Sequence, residues 1–343
     1  MAYQTGTATD CNDLLDKFRL FAIAQGWAAN RWATAGSGRE LCISKGSAYF
    51  NFRSLQNETL NPFNGTSSGA GMHGIVLNGS DGYAGGSAWD RQPGYPVRNA
   101  GTLGAVDQGH IWCPVHDLNT GPFPAYHFFG MNSGQALYCE WEVSTGTFQR
   151  FGIGSLDLFN PAAGGGGRFC YATGGAIPLT NVIYRWREYD IDNPSYMMEC
   201  VPFRRASQAA HSNNYGSGST TAGSMVRATF SSFDNWACSG RDASQQPYAW
   251  VCQGGGNHDR MLREFSPAPL NGTAVLVPNI VSLNINNEFL APIGQMPGLR
   301  FMDMSNYLPG DEFTLGTDTW KVFPWYAKGG VSFQRGIAFL KEV

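Results

Sequence analysis

The chain has 343 residues, a net charge of -3 and a pI near 6.1, which excludes the strongly basic footprint of a nucleic-acid binder. Charged residues make up only 14%, against a typical value of about 25%, while 22 Phe, 14 Tyr and 10 Trp supply ample burial and exclude a chain disordered throughout. Polarity is therefore carried by Gly, Asn, Ser, Thr and Gln, a mixture that suits turn-rich β structure and surfaces buried against neighbours.

The first element is a short polar lead followed by an amphipathic helix over Asp10 to Gln25. Asp10 is placed to cap it, with Asp13 three residues on, where orphan amides and the helix dipole favour carboxylates. Leu14, Leu15, Phe18, Phe21 and Ala22 recur at helical spacing and form one apolar stripe. Gly26 suits the C′ position, and Trp27 can fold back on the last turn. So short a helix is marginal alone, so the stripe must dock, either on this chain's own sheet or on a neighbouring subunit. The apolar run Leu20 to Ala24 is far too short to span a bilayer, and no secretory signal is expected ahead of the helix.

Beyond Trp27 the period becomes two. Glu40–Lys45 and Ala48–Arg53 read as strands, and residues 56–100 as a long loop excursion with hairpin-turn signals at Asn64-Gly65 and Asn78-Gly79. Such a loop is either packed down by its aromatics or in contact with partners, and its removal over 61–96 is expected to leave a folded monomer that no longer assembles. Strands return at Ala125–Phe129, Ala136–Val143, Thr147–Gly152 and Gly167–Tyr171, with Ser144–Gly146 as a hairpin link. A β-prone run follows at Asn181–Tyr189, and a linker at Ser212–Ser224. Ala274–Val277 and Ile280–Ile285 read as two strands separated by Pro278, and Thr317–Phe323 and Ile337–Leu340 as the last pair, around a Tyr326–Gly330 turn. The fold class is mainly β, with antiparallel sheets in sandwich- or barrel-like lobes and a short N-terminal helix. A division into residues 1–200 and 201–343 is one organisation; a single intertwined domain is the other.

Motifs for chemistry are thin. His110, Cys113 and His116 have ligand-like spacing, with His127 further on, but no second pair completes a zinc site; lining of a β turn is the simpler reading. Gly65-Thr-Ser67-Ser-Gly69 matches a nucleophile elbow in letters only, since no helix follows it. Glu140 and Glu142 share one strand face and read as a solvated face more readily than as a glycosidase pair. The rings of Trp89, Tyr95, Trp112 and Trp141, near Asp90, could stack on sugars. Gly164–Gly167 lacks the Lys-Ser/Thr of a P-loop. The eight cysteines form no CxxC pair and read as buried thiols. No cofactor is expected, and no enzymatic activity.

Three blocks carry a resemblance. TGTATDCNDLLDKFRLFAIAQGW (5–27), RELCISKGSAYFNFRS (39–54) and YHFFGMNSGQALYCEWEVSTGTFQRFGIGSL (126–156) with GGRFCYATG (166–174) resemble tailed-bacteriophage virion structural proteins, best over 1–55 and 110–175. The closing DTWKVFPWYAKGG and GIAFLK resemble the final strands of phage tail and head proteins more loosely. The resemblance implies a component of the tail tip or baseplate, made in a host bacterial cytoplasm and built into the virion tail, with Phe148, Phe151, Gly152 and Gly154 as scaffold. Its partners would be other virion proteins and copies of itself in a symmetric assembly, with no nucleic acid and no membrane insertion. Leu14, Phe18, Phe21, Trp27, Trp89 and Tyr95 are the expected contact residues. A receptor- or glycan-binding tail protein is the alternative reading, and a glycan-degrading tail enzyme a more remote one.

Overall fold

The computed structural model describes residues 2–60, 67–96, 111–114, 120–161, 166–172, 224–230, 233–238, 248–251, 274–285, 289–324 and 335–341. In chain order the elements begin with β1 (Tyr3–Ala8), α1 (Cys11–Ala24), β2 (Ala28–Ala35), β3 (Gly38–Lys45), β4 (Ala48–Leu60), β5 (Ser67–Ser80) and β6 (Ile111–Pro114). They continue with β7 (Phe123–Met131), β8 (Ala136–Ser144), β9 (Thr147–Ser155), β10 (Asp157–Leu158), β11 (Arg168–Ala172), β12 (Ser224–Phe230) and β13 (Phe233–Cys238). Last come β14 (Tyr248–Val251), β15 (Val277–Ile285), β16 (Phe289–Asp303), β17 (Glu312–Leu315), β18 (Asp318–Pro324) and β19 (Arg335–Leu340). The protein is mainly β with one short helix. A small sheet runs β2-β3-β4-β5-β6, and a 14-stranded sheet runs from β1 through β7, β8 and β9 to β19, β18 and β17. Pairing is antiparallel except between β13 and β14.

The middle strands of the large sheet, β7 to β9, carry large apolar side chains on both faces, and this makes them a central layer. One face presents Phe128, Leu137, Cys139, Trp141, Phe151 and Ile153 to α1 and to the small sheet's Leu41, Ile43, Phe50, Phe52, Ile75 and Leu77. The other face presents Phe129, Met131, Ala136 and Tyr138 to Leu283, Leu299, Phe301, Phe323, Ile337 and Phe339 of β15, β16, β18 and β19. The Tyr138 hydroxyl donates to the Pro297 carbonyl at 2.8 Å across that second core. Position 200 does not fall between sheets: β11 pairs with β12, β10 pairs with β16, and the second core mixes residues from both sides of it.

Helix α1 forms as its sequence implies. The Asp10 carboxylate accepts from the Asp13 amide at 2.8 Å, and the Asp13 carboxylate accepts from the Thr9 amide at 2.8 Å. The first bond satisfies an orphan donor of the first turn, and the second ties the residue before the cap back onto the helix. At the other end Gly26 takes φ +83°, and the Trp27 amide returns to the Ala22 carbonyl at 3.0 Å. Lys45 donates to the carbonyls of Gln25 and Ser133, at 2.7 and 2.5 Å, and so places a cation at the helix C-terminus.

The stretch 56–100 departs from its reading as a loop. Its first part completes β4, and residues 67–80 are the long strand β5, which pairs with β4 along Tyr49 to Leu60. Asn78-Gly79 is not a hairpin turn but lies inside β5. Asn78 is fully buried and donates to the Asp90 carbonyl at 2.9 Å. Gly79 lies against the Trp236 ring, whose Cη2 would stand 2.1 Å from an added Cβ. Deleting 61–96 would therefore remove β5 with the core side chains Ile75 and Leu77, and would not leave a folded monomer. Pro278 likewise does not divide two strands: it pairs with Arg300 within the single strand β15, beside an irregularity that absorbs its missing amide. The polar lead ahead of the helix contains strand β1, paired with β7. The Asn181–Tyr189 run, the Ser212–Gly223 linker and the Tyr326–Gly330 turn lie outside the described residues.

Candidate functional site

The predicted contact residues divide sharply. Leu14, Phe18, Phe21 and Trp27 are buried in the chain's own core and present no outer surface. The Phe18 ring meets Phe52 of the small sheet and Phe128 and Phe151 of the central layer, at centroid distances of 5.5, 5.5 and 4.9 Å. Trp27 donates from its indole to the Gly134 carbonyl at 2.9 Å. The physical reason is simple: both sheets offer an apolar face to the stripe, so its burial is complete within one chain. The opposite face of α1 is what remains. Leu20 is 52% exposed and Ile23 42% exposed, and Ala24 at the end of α1 and Ala28 and Ala29 at the start of β2 are exposed as well. Strand β2 is an edge of the small sheet. Its outward backbone groups are the kind that template pairing with another chain.

Trp89 is also buried and Tyr95 half-buried, within a segment, 81–96, seated on the outer face of the small sheet. Asn51 donates to Asn78 and Ser80, both at 3.1 Å. Gln92 has no exposed surface; it accepts from the Ala84 amide at 2.7 Å and donates to the Ala88 carbonyl at 2.9 Å. Arg31 donates to the carbonyls of Gly85 and Ser87 at 2.8 and 2.7 Å. The segment's start is tied to the large sheet through Asp81, which accepts from Arg168 at 2.9 Å and from Arg227 at 2.9 and 3.1 Å. Trp236 donates to the Gly94 carbonyl at 3.0 Å beside this clamp. With Trp89, Trp141 and Asp90 buried, these side chains offer no open platform for a sugar ring.

A second polar assembly runs from the β1 edge into the interior beside the second core. Register places Thr5, His127, Glu140 and Arg150 side by side across β1, β7, β8 and β9. Glu140, expected on a solvated face, is instead fully buried, and its carboxylate meets the Arg150 Nε at 2.5 Å. Glu142 does not join it but accepts from the Gly146 amide at 2.6 Å in the β8–β9 turn. Arg150 also donates to the Pro324 carbonyl at the end of β18. His127 takes its Nδ1 to the Tyr3 hydroxyl at 2.8 Å and the Thr5 hydroxyl at 3.1 Å, and its ring lies 5.0 Å from that of Phe323. Burial raises the Glu140 carboxyl to about 7 against the opposing pull of Arg150, and the same cause lowers His127 to about 4, helped by Lys321. A carboxyl near neutrality beside an imidazole has the ingredients of acid–base chemistry. Here both members of the Glu140–Arg150 pair are sealed from solvent, while His127 is half-buried and Thr5 exposed, and through Arg150 the row braces two layers.

Strand period two puts Glu140 and Glu142 on one face, but only the register across three strands brings His127 and Arg150 beside Glu140. Among the described residues no group of three His, Cys, Asp or Glu side chains is arranged to hold a metal. His110, His116 and the Cys113 side chain lie outside the described residues; the Cys113 backbone sits in β6 opposite Ile75. Ser67 opens β5 and is followed by strand, not helix. Cys11, Cys42, Cys139 and Cys170 are buried thiols, and burial pushes Cys42 up to about 12. No described helix is long and apolar enough to cross a membrane. No protein-family model matches this chain, and no curated protein matches it, so the functional reading stands on residues and geometry alone.

Proposed function

We propose that the chain is a structural component of a bacteriophage particle, at the tail tip or baseplate, and that it works through subunit–subunit contacts, not turnover. The observation that carries this reading is the exposed apolar face of Leu20, Ile23 and Ala24 on α1, next along the chain to β2, which is an edge of the small sheet among the described residues. An apolar helix face beside an unpaired strand edge offers a neighbour both side-chain burial and backbone hydrogen bonds. Support also comes from the interior, where α1 is wedged between two sheets and the 81–96 segment is locked down by Gln92, Arg31 and Asp81. Such a body keeps its shape while its outer strips are loaded.

The partners are other virion proteins and copies of this chain in a symmetric assembly. The test is the double variant Leu20→Asp with Ile23→Asp. Both side chains face outward, so the purified variant is expected to melt within a few degrees of the parent. Particles produced with it should lack the chain or fail to complete. Incorporation at parental level by a folded double variant would refute the assignment of this contact face.

A further inference from the structure

Among the described residues β2 ends the small sheet and β17 ends the large one, and the surroundings of the two edges are complementary. Beside β2 the surface is cationic and apolar. The Asn12 side chain donates to the Ser37 carbonyl at 2.9 Å, and the Arg19 guanidinium lies 5.1 Å from the Trp32 ring centre, so this flank of α1 stands along β2. Ile23, one turn beyond Arg19, shares the flank and is exposed. Arg39 lies 5.8 Å from the same ring centre and donates to the Thr34 hydroxyl. Arg19 is paired with Asp16 at 2.7 Å, whereas Arg39 has no carboxylate partner among the described residues. A guanidinium over a ring keeps in-plane N–H groups for a carboxylate from outside.

Beside β17 the surface is acidic and apolar. Leu315 ends the strand 40% exposed, and Leu308, in the turn before it, is 72% exposed. Asp311 and Asp318 flank the strand, both exposed. The Asp311 carboxylate accepts from the Leu308 amide at 2.7 Å and that of Asp318 from the Thr317 hydroxyl at 3.4 Å. Neither has a cation within salt-bridge distance among the described residues. The ammonium groups of Lys321 and Lys341 are both taken up by Glu312, at 3.1 Å.

We propose that β17 of one copy adds to β2 of the next as an extra strand, so that copies of this chain join head to tail. This rests on the reading of the outer α1 face as a contact surface and supplies its occupant, a second copy. The free backbone groups of the two edges pair with each other. Leu315 is buried against the Leu20 and Ile23 face, and the carboxylates around β17 meet Arg39. Like edges fit less well. Two β17 edges would bring Asp311 and Asp318 of both copies together, and two β2 edges would leave both Arg39 side chains without an acid. The two surfaces are different parts of the chain, so the contact is heterologous and makes a ring where the rotation closes.

The experiment is sedimentation velocity of the purified full chain and of variants in the two surfaces. Leu20→Asp with Ile23→Asp spoils the β2 side and leaves β17 intact; Leu315→Lys spoils the β17 side and leaves β2 intact. The parent should form assemblies larger than a dimer. Each variant alone should be monomeric and should melt within a few degrees of the parent. Mixed in equal amounts, the two variants should form a dimer and stop, because one intact β17 edge and one intact β2 edge remain between them. If the double variant does not fold, Arg39→Glu takes its place, and Asp318→Lys takes that of Leu315→Lys, with the same outcomes expected. A mixture that stays monomeric, a variant that associates as the parent does, or a parent that stops at a dimer would overturn the head-to-tail pairing. A parent that is monomeric at every accessible concentration, while Leu20→Asp with Ile23→Asp still blocks incorporation into particles, would overturn self-pairing and leave the assignment to a phage particle standing.

Discussion

Replacing Phe18 with Ala separates the two places where the helix stripe could have docked. In the fold Phe18 has no exposed surface and meets three rings from two different sheets, at 4.9 to 5.5 Å. A buried Phe→Ala change costs about 3–5 kcal/mol through lost transfer energy and residual cavity. Aromatic pairs add about 0.5–1.5 kcal/mol each beyond area. Because the cavity is walled by two sheets and a helix, collapse into it is limited, and the expected loss is about 4–5 kcal/mol. Against a typical total of about 5–15 kcal/mol this is a large fraction. Urea unfolding of the purified chain, followed by far-ultraviolet circular dichroism, measures it. The midpoint should fall strongly at unchanged slope. Leu20→Ala, on the opposite face of the same helix, should cost less than about 0.5 kcal/mol. A Phe18→Ala chain as stable as its parent would show that the stripe is not core, and the layer architecture argued above would fail with it.

Further expectations follow from individual contacts. Gly79→Ala forces a Cβ to within 2.1 Å of the Trp236 ring, so it should cost about 1–3 kcal/mol and shift tryptophan emission as the indole is displaced. Unaltered emission and stability would count against the β5–β13 packing. Asp81→Asn weakens the clamp to Arg168 and Arg227; with Asp81 itself partly exposed, a loss of about 1–2 kcal/mol is expected, shrinking in high salt. A salt-independent loss would mean that the carboxylate acts through packing instead. In the Glu140–His127 row, burial holds Glu140 up at about 7 and His127 down at about 4, so on acidification the Glu140 contribution to stability grows while that of His127 is lost. In denaturant unfolding, Glu140→Gln should lose stability relative to the parent as pH falls from 7 to 4.5 and His127→Gln should gain it; shifts in the same direction would refute the assignment.

Much of the fold is written locally. Asp10, Asp13 and Gly26 carry the signals that start and stop α1, and these act through backbone groups within a few residues. Ser144–Gly146 links β8 to β9 as a tight turn, with Gly146 at φ +76°. Alternation at Ala136–Val143 marks β8 for the same reason: a strand's two faces differ every second residue. The misreadings share a cause. Residues 67–80 look like loop because Gly, Asn and Ser are poor strand formers, but a central position between β4 and β6 supplies two partners and overrides propensity. Tyr3–Ala8 reads only as a polar lead because β7, its sheet partner among the described residues, lies more than a hundred residues away.

The candidate site divides in the same way. An amphipathic helix has one apolar face, and Leu14, Phe18 and Phe21 declare it; what covers that face is a question of distant chain. The two sheets cover it here, which moves the available contact surface to Leu20 and Ile23. The Glu140–Arg150 pair was likewise beyond local reading, since two carboxylates on one strand face look solvated until the opposite layer is placed over them. Sequence alone settled the β class, the helix and its caps, because these depend on short-range sterics and hydrogen bonds. Tertiary structure alone decided which faces are inside, because burial is set by whatever non-local layer arrives to exclude water.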